Sequence, residues 1–450
     1  MKKKILYLLL FVIAALAFMV MRFTKTGKAP DTVYSNILPR TASLAYAAEW
    51  AVVKNNAAVL INKIRQNPGD VKSLMVLTAL YIQEARNTGN FNYYNAAALK
   101  CIDAVLKKDP DNFEALTFKA TILLSQHRFA EGLAIASQAQ QRYPLNAYVY
   151  GLMIDGHVEL GHYQQALEAA DKMVSIRPDI RSYSRIAYLR EIYGDIPGAI
   201  EAMQLAIDAG APGDENTEWC RVQLGKLYEK TGQLTRANMQ YAIAVDNRPG
   251  YPYALAGLAR IAVAEKKYGQ ALGLYQRADS LIPDHTFKEG MAEVYRLMGE
   301  PEKAQHEAAA ILKYMLQFSS GNQMAAHTGQ NEDHELAHAY MGVGNYSKAL
   351  EMALAEYHRR PANIEVNETV AMVYYHKGNY AQALPYITTA LQTHCSNPEL
   401  LCHAGLIYAK TGAPDKAREY LQHALKNHPL LPAQVEEESR AAMEGLAHAN

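Results

Sequence analysis

Cysteine is scarce: four in 450 residues, at Cys101, Cys220, Cys395 and Cys402. None forms a CxxC pair, so neither a zinc ribbon nor a disulfide framework fits. Only Cys395 and Cys402 are near enough in sequence for a bridge. Net charge is absent as well, 45 Lys and Arg balancing 45 Asp and Glu. With no basic excess, whole-molecule attraction to nucleic acid or to an anionic membrane surface has no source, and nucleic acid is not an expected partner. The usual frames of enzyme sites are missing too. There is no Walker loop, no GxGxxG after a strand, no GxSxG, no paired-carboxylate constellation, and no alternating apolar pattern from which strands are built. Neither an enzyme nor a cofactor is expected.

What the chain does have begins with Lys2, Lys3 and Lys4, followed by an uncharged apolar run from Ile5 to Met21. A basic start before an apolar core marks an export signal. Ala15-Leu16-Ala17 offers a cleavage site, yet the apolar run continues through Met21. Seventeen helical residues reach roughly 25 Å, short for a bilayer core but sufficient with snorkelling flanks. Residues 1–23 are therefore expected to be a signal anchor or a cleaved signal peptide. In either case the rest lies on the extracytoplasmic, periplasmic side, as a single-pass membrane protein or a secreted one. Residues 24–43, rich in Gly, Pro and polar side chains, read as a linker.

From there the sequence is a repeat. Residues 218–249 read as two amphipathic helices, with Leu224, Leu227 and Tyr228 on one face of the first and Ala237, Tyr241 and Ala244 on the second. Gly232 ends the first helix and Pro249 closes the unit. The slots Gly225, Ala237, Ala244 and Pro249 recur 34 residues on as Ala259, Ala271, Ala278 and Pro283. They recur again as Ala337, Ala349, Glu356 and Pro361, and as Gly405, Ala417, Ala424 and Pro429. A 34-residue period with this L-G-x-x-Y … Y-x-x-A … A … P pattern resembles the tetratricopeptide repeat family over about residues 71–430. The abundance of tyrosine (30, against 9 Phe) suits that repeat's tyrosine slots. The resemblance implies an all-α, right-handed superhelical solenoid of about ten helix-turn-helix units. The export signal and general style are those of a bacterial envelope protein.

The expected layout is an array over 44–316 that opens with a degenerate hairpin at 44–66. A break at 317–330 holds 11 extra residues, either a helix end with a loop or a hinge. A three-unit array over 331–430 follows, then a capping helix over 431–450 with a polar outer face. In this family the concave wall is lined by the first helix of each unit. By position that gives Tyr148, Arg181, Tyr188, Trp219, Lys226, Tyr253 and Arg260, a mix of aromatic faces and cations suited to holding a protein or peptide. The Lys-Asn and Lys-Arg constellation with which some members grip a chaperone's terminal carboxylate is absent from the corresponding slots. The expected function is a membrane-anchored scaffold; a glycan-binding repeat protein using the same aromatics is an alternative.

A second alternative is a metal-dependent hydrolase built on His334-Glu335-Leu336-Ala337-His338. HExxH on a helix puts two imidazoles one turn apart, able to share a zinc, with Glu335 as a base for bound water. The third ligand would come from a neighbouring helix, with Glu368 or Glu293 best placed. Leu336 and Ala337 fill the repeat's own Leu-small slots, so the motif also has a purely structural origin. Asn367-Glu368-Thr369 matches the N-glycosylation pattern, on a helix expected to be packed.

Overall fold

The computed structural model describes residues 34–41, 44, 46–319, 331–426 and 430–448. The apolar run at 1–23 and most of the expected linker lie outside these residues, as do 320–330 of the expected break. The chain divides at Ile37, and the segment 1–37 is described only from Tyr34. Among the described residues there are 22 α-helices and no strand. None of these helices is long and apolar enough to cross a membrane.

Helix α1 (Ala47–Gln66) stands alone. Five hairpins follow: α2/α3 (Val71–Thr88, Phe91–Leu106), α4/α5 (Phe113–Ser125, Phe129–Arg142), α6/α7 (Ala147–Glu159, Tyr163–Ile176), α8/α9 (Ile180–Ile192, Ile196–Asp208) and α10/α11 (Glu215–Lys230, Leu234–Asn247). Five more are α12/α13 (Pro252–Ala264, Tyr268–Asp279), α14/α15 (His285–Leu297, Pro301–Ser319), α16/α17 (Asp333–Gly342, Tyr346–Arg359), α18/α19 (Ile364–His376, Tyr380–Ala390) and α20/α21 (Pro398–Lys410, Pro414–Leu425). The last helix is α22 (Ala433–His448). The stretch expected as an opening hairpin is thus one 20-residue helix, α1, because no Gly or Pro interrupts it to reverse the chain.

Local chemistry starts and ends these helices. Asp70, Asn112, Asn146, Asp179, Asp284, Asn363 and Asn397 each stand just before the first helix of a unit, where the side-chain oxygen accepts from an N–H of the first turn. Between the two helices one residue takes left-handed backbone. It is usually glycine, but His127 and Lys266 do so at φ 57° and 58°. The small slots are buried: Ala237, Tyr241, Ala244, Ala271 and Ala278 are each closed from solvent or nearly so. Tyr241 shows why Gly225 carries no side chain. A Cβ on Gly225 or on Gly257 would overlap the Tyr241 ring, which is clamped between the two backbones.

The solenoid winds tightly enough to touch itself. The turn between the helices of one unit meets the start of the unit six further on, and this recurs along the array. The start of the lone helix α1 makes the same kind of contact, with Tyr46 donating to the Pro249 carbonyl (3.1 Å) and Arg248 pairing with Glu49 (3.2 Å). Asn331 donates its N–H to the Gln126 carbonyl (3.0 Å), and His127 Nδ1 lies 2.9 Å from the Asn331 carbonyl. Tyr163 accepts from the Ile364 N–H (2.9 Å), and Asn363 donates to the Glu159 carbonyl (3.0 Å). Arg360 reaches Glu159 at 2.5 Å, pairs with Glu356 of its own unit and lies over the Phe129 ring. Gly161 and Gly194 belong to this seam. A Cβ on Gly161 would run into the Ala362 carbonyl, and one on Gly194 would come within 2.6 Å of the His394 oxygen. Equivalent glycines at 299, 344, 378 and 412 have open space there.

The end of the expected linker is not free. Leu38 donates to the Tyr94 hydroxyl (3.0 Å), and buried Arg40 forms a two-pronged pair with Glu84 (2.5 and 2.9 Å) while also reaching Glu49 (2.7 Å). A guanidinium at this position finds two carboxylates, so the chain is anchored before α1 begins.

Candidate functional site

Inside the superhelix the first helices of three consecutive units, α10, α12 and α14, form one wall. Their lumen-facing residues are spaced a turn or two apart. A cavity of about 1150 Å³ lies against this wall, lined by Trp219, Lys226, Tyr253, Arg260, Glu289 and Arg296 among others. Four of the seven residues expected in the groove meet here. The other three do not line the cavity: Arg181 lies over the Tyr148 ring (5.2 Å), Tyr148 shares a hydrogen bond with Thr121 (2.9 Å), and Tyr188 has Glu365, Glu159 and Glu191 around it.

The opposite wall was not legible from the sequence. It is α22 with the residues just before it, which present Leu431, Ala433, Glu437, Arg440 and Glu444 to the cavity. On its other side Val435 packs against Leu401, Cys402 and Ala424. The polar face expected to look outward therefore looks inward. It is tied across the lumen at its start, where the Ala433 N–H donates to Glu293 (2.6 Å).

The cations of the cavity differ in how they are held. Arg260 is committed to the scaffold: its Nε donates to both Glu229 oxygens (2.9 and 3.2 Å), and its Nη2 donates to the Tyr241 hydroxyl (3.0 Å). Burial opposes its charge, and the Glu229 carboxylate more than offsets that, so its pKa is raised. Arg260 is thus a structural anchor first and a wall residue second. Arg296 is paired with Glu293 (2.9 Å) and Arg440 with Glu436 (2.6 Å). Among the described residues, no hydrogen bond or ion pair reaches the Lys226 ammonium. The surrounding protein, and then the nearby Arg260 charge, hold it down to about 8.

The HExxH residues are arranged for packing. His334 Nε2 and His338 Nε2 each lie 3.0 Å from the Thr369 hydroxyl, which itself donates to the Glu365 carbonyl (3.0 Å). The hydroxyl has one proton, so with that proton on the carbonyl both imidazoles must be Nε2–H donors. Burial lowers the pKa of both rings, and the neutral form fits those bonds. Glu335 lies 3.4 Å from His127, and Glu368 is bonded to His403 (2.7 Å). Among the described residues, no group of three or more His, Cys, Asp or Glu side chains could hold a metal ion. All four cysteines are free, so the Cys395–Cys402 pair is unbridged. Asn367 is buried, with its amide donating to the Pro361 and Asn363 carbonyls (2.8 Å each), which removes it from reach of glycosylation.

Several carboxylates sit above their ordinary range. Burial first, and Glu365 second, push Glu159 up to about 7 despite its pair with Arg360. Burial likewise raises Glu289, Glu365 and Glu399. A carboxyl whose folded pKa exceeds its unfolded value near 4.3 stabilises the fold fully below that value, and the contribution is lost as pH rises through the folded pKa. Melting temperature should therefore fall between about pH 5 and pH 8. Glu159→Gln, which stays neutral, should flatten part of that fall. An unchanged slope would mean that Glu159 titrates as an ordinary carboxylate.

The sequence model of the tetratricopeptide repeat family matches residues 95–147, 222–285, 334–393 and 369–432. Among solved structures, a tetratricopeptide repeat protein from Parabacteroides merdae is 17% identical, with 59% of this chain and 98% of that one covered at a TM-score of 0.32. The type IV pilus biogenesis factor PilW is 15% identical, with 48% and 96% covered at 0.38. Human IFIT1, in a dimer with PPP-AAAA, is 15% identical, with 77% and 80% covered at 0.48. No curated protein matches the chain.

Proposed function

Since the chain is a tetratricopeptide repeat protein, we propose that it is a scaffold that binds a segment of a protein partner in its lumen, held at the outer face of a membrane by its N-terminal residues. The repeat itself supports protein–protein interaction as the general role. The observation that carries the finer reading is the cavity of about 1150 Å³ walled by Trp219, Tyr253 and Lys226. Its size exceeds the roughly 300–1000 Å³ of ordinary small-molecule pockets and suits a stretch of peptide. Aromatic faces supply contact area at low entropic cost, and a cation among them supplies orientation.

The basic start and apolar run of residues 5–21 support membrane display on the extracytoplasmic side; release into the periplasm after cleavage at Ala15-Leu16-Ala17 is the alternative. Fractionation of the full chain, with mass measurement of its N-terminus, separates the two.

Groove binding is tested with Trp219→Ala combined with Lys226→Glu. Both side chains project into the cavity, and neither belongs to the Glu229–Arg260–Tyr241 network, so helicity and melting should change little while partner capture is lost. Undiminished capture would exclude the cavity as the binding site.

A further inference from the structure

We infer that the segment bound in the lumen is acidic, with a carboxylate seated at Lys226 between Trp219 and Tyr253; this rests on the groove-binding reading above. Two cations that line the cavity are left over, Lys226 on α10 and Lys266 at the turn after α12, both exposed. Arg260 is held by Glu229, Arg296 by Glu293 and Arg440 by Glu436, while Lys226 has neither a hydrogen bond nor an ion pair among the described residues. A carboxylate supplies what this position lacks. A neutral segment would leave the ammonium unpaired and cut off from water, and a basic one would add repulsion from Arg260.

Spacing makes the subsite specific. Trp219 and Lys226 are seven residues apart on α10, on one face, and Tyr253 lies on the neighbouring α12. An acidic side chain flanked by an apolar one would meet the cation and an aromatic face together. The opposite wall limits the other side of the ligand. α22 presents Glu437 and Glu444 there, so the segment must keep its acidic residues towards α10 and turn an uncharged or basic side to α22.

The test pans a displayed random-peptide library on the full chain, with counter-selection against the Trp219→Ala protein so that only cavity binders remain. The expected result is enrichment of Asp and Glu. A selected peptide should bind Lys226→Met about tenfold to a hundredfold more weakly, the worth of one charge-assisted hydrogen bond. Its affinity should also fall as pH rises through about 8, where the free Lys226 ammonium loses its proton. That titration is set against Arg260, Glu229, Lys230 and Glu191 on the array side, Lys266 after α12, Glu289, Glu293 and Arg296 of α14, and Glu436, Glu437, Arg440 and Glu444 of α22. Enrichment of neutral or basic peptides that still depend on Trp219 would overturn the acidic class and leave the groove reading standing. Failure to recover any Trp219-dependent peptide would overturn it as well, and the groove reading would then be decided by the partner-capture variants. Equal affinity for Lys226→Met would remove Lys226 from the subsite.

Discussion

Arg360→Ala is expected to destabilise the protein by about 3 kcal/mol and to loosen the second superhelical turn from the first. Arg360 is buried against Glu356, which is also buried, and bridges to Glu159 in the unit five before its own. Removing one partner strands charge in a place that water does not reach, and that cost exceeds the net worth of the pair. Arg359 and Asn331 also hold Glu356, which keeps the expected loss at the lower end of the about 3–5 kcal/mol range for such deletions. Repeat arrays do not always unfold in one step, so hydrogen exchange is the sharper readout. The Ile364 and Asn331 amides, which bond across the seam, should lose protection, while those of the outer helices keep it. Arg440→Ala, which removes an exposed pair with Glu436, should cost under about 1 kcal/mol. Equal effects of the two substitutions would contradict the seam.

Gly225→Leu is the second large effect, at about 1–3 kcal/mol. The new side chain starts where the Tyr241 ring already lies, and that ring is fully buried with Gly257 on its other side. Tyr241 has no room to swing away, because its hydroxyl is bonded to Glu229 (2.6 Å) and Arg260. Better helix propensity returns less than about 1 kcal/mol. The strain also passes to the cavity wall through Arg260, so partner binding should weaken together with stability. Gly273→Ala is the control. That position also lies inside a helix, α13, but a Cβ there meets nothing, so the exchange should stabilise by roughly 0.5–1 kcal/mol. Urea denaturation of both variants decides between these outcomes.

Much of this architecture is legible in the sequence because each hairpin is encoded locally. The 34-residue grid names slots such as Ala237, Tyr241 and Ala244, and they are the buried ones. Asn and Asp before the first helices and the left-handed turn residues mark the hairpin ends. The seam is not legible in this way, since it joins residues six units apart and no local pattern reports that pairing. It leaves one trace: Glu356 stands where the other units carry an apolar residue such as Ala244, Ala278 or Met173, and it is the carboxylate that holds Arg360. The groove was half legible. Counting slots finds residues that face the lumen, but it does not say which units share a cavity, so Trp219, Lys226, Tyr253 and Arg260 come together and Tyr148, Arg181 and Tyr188 do not. For α22, periodicity separates a polar face from an apolar one without saying what the polar face looks at.

Groove binding is tested most directly by placing a photo-crosslinking amino acid at Gln223, on the cavity wall beside Lys226, and in a second protein at Met239, which is exposed on α11 and does not line the cavity. Each full-length chain is irradiated in its native membrane fraction and the adducts are identified by mass. Binding in the lumen predicts a partner adduct from position 223, traced to a segment bearing Asp or Glu, and none from position 239. A partner adduct from 239 with none from 223 would contradict it and move the interaction to the outer surface of the array.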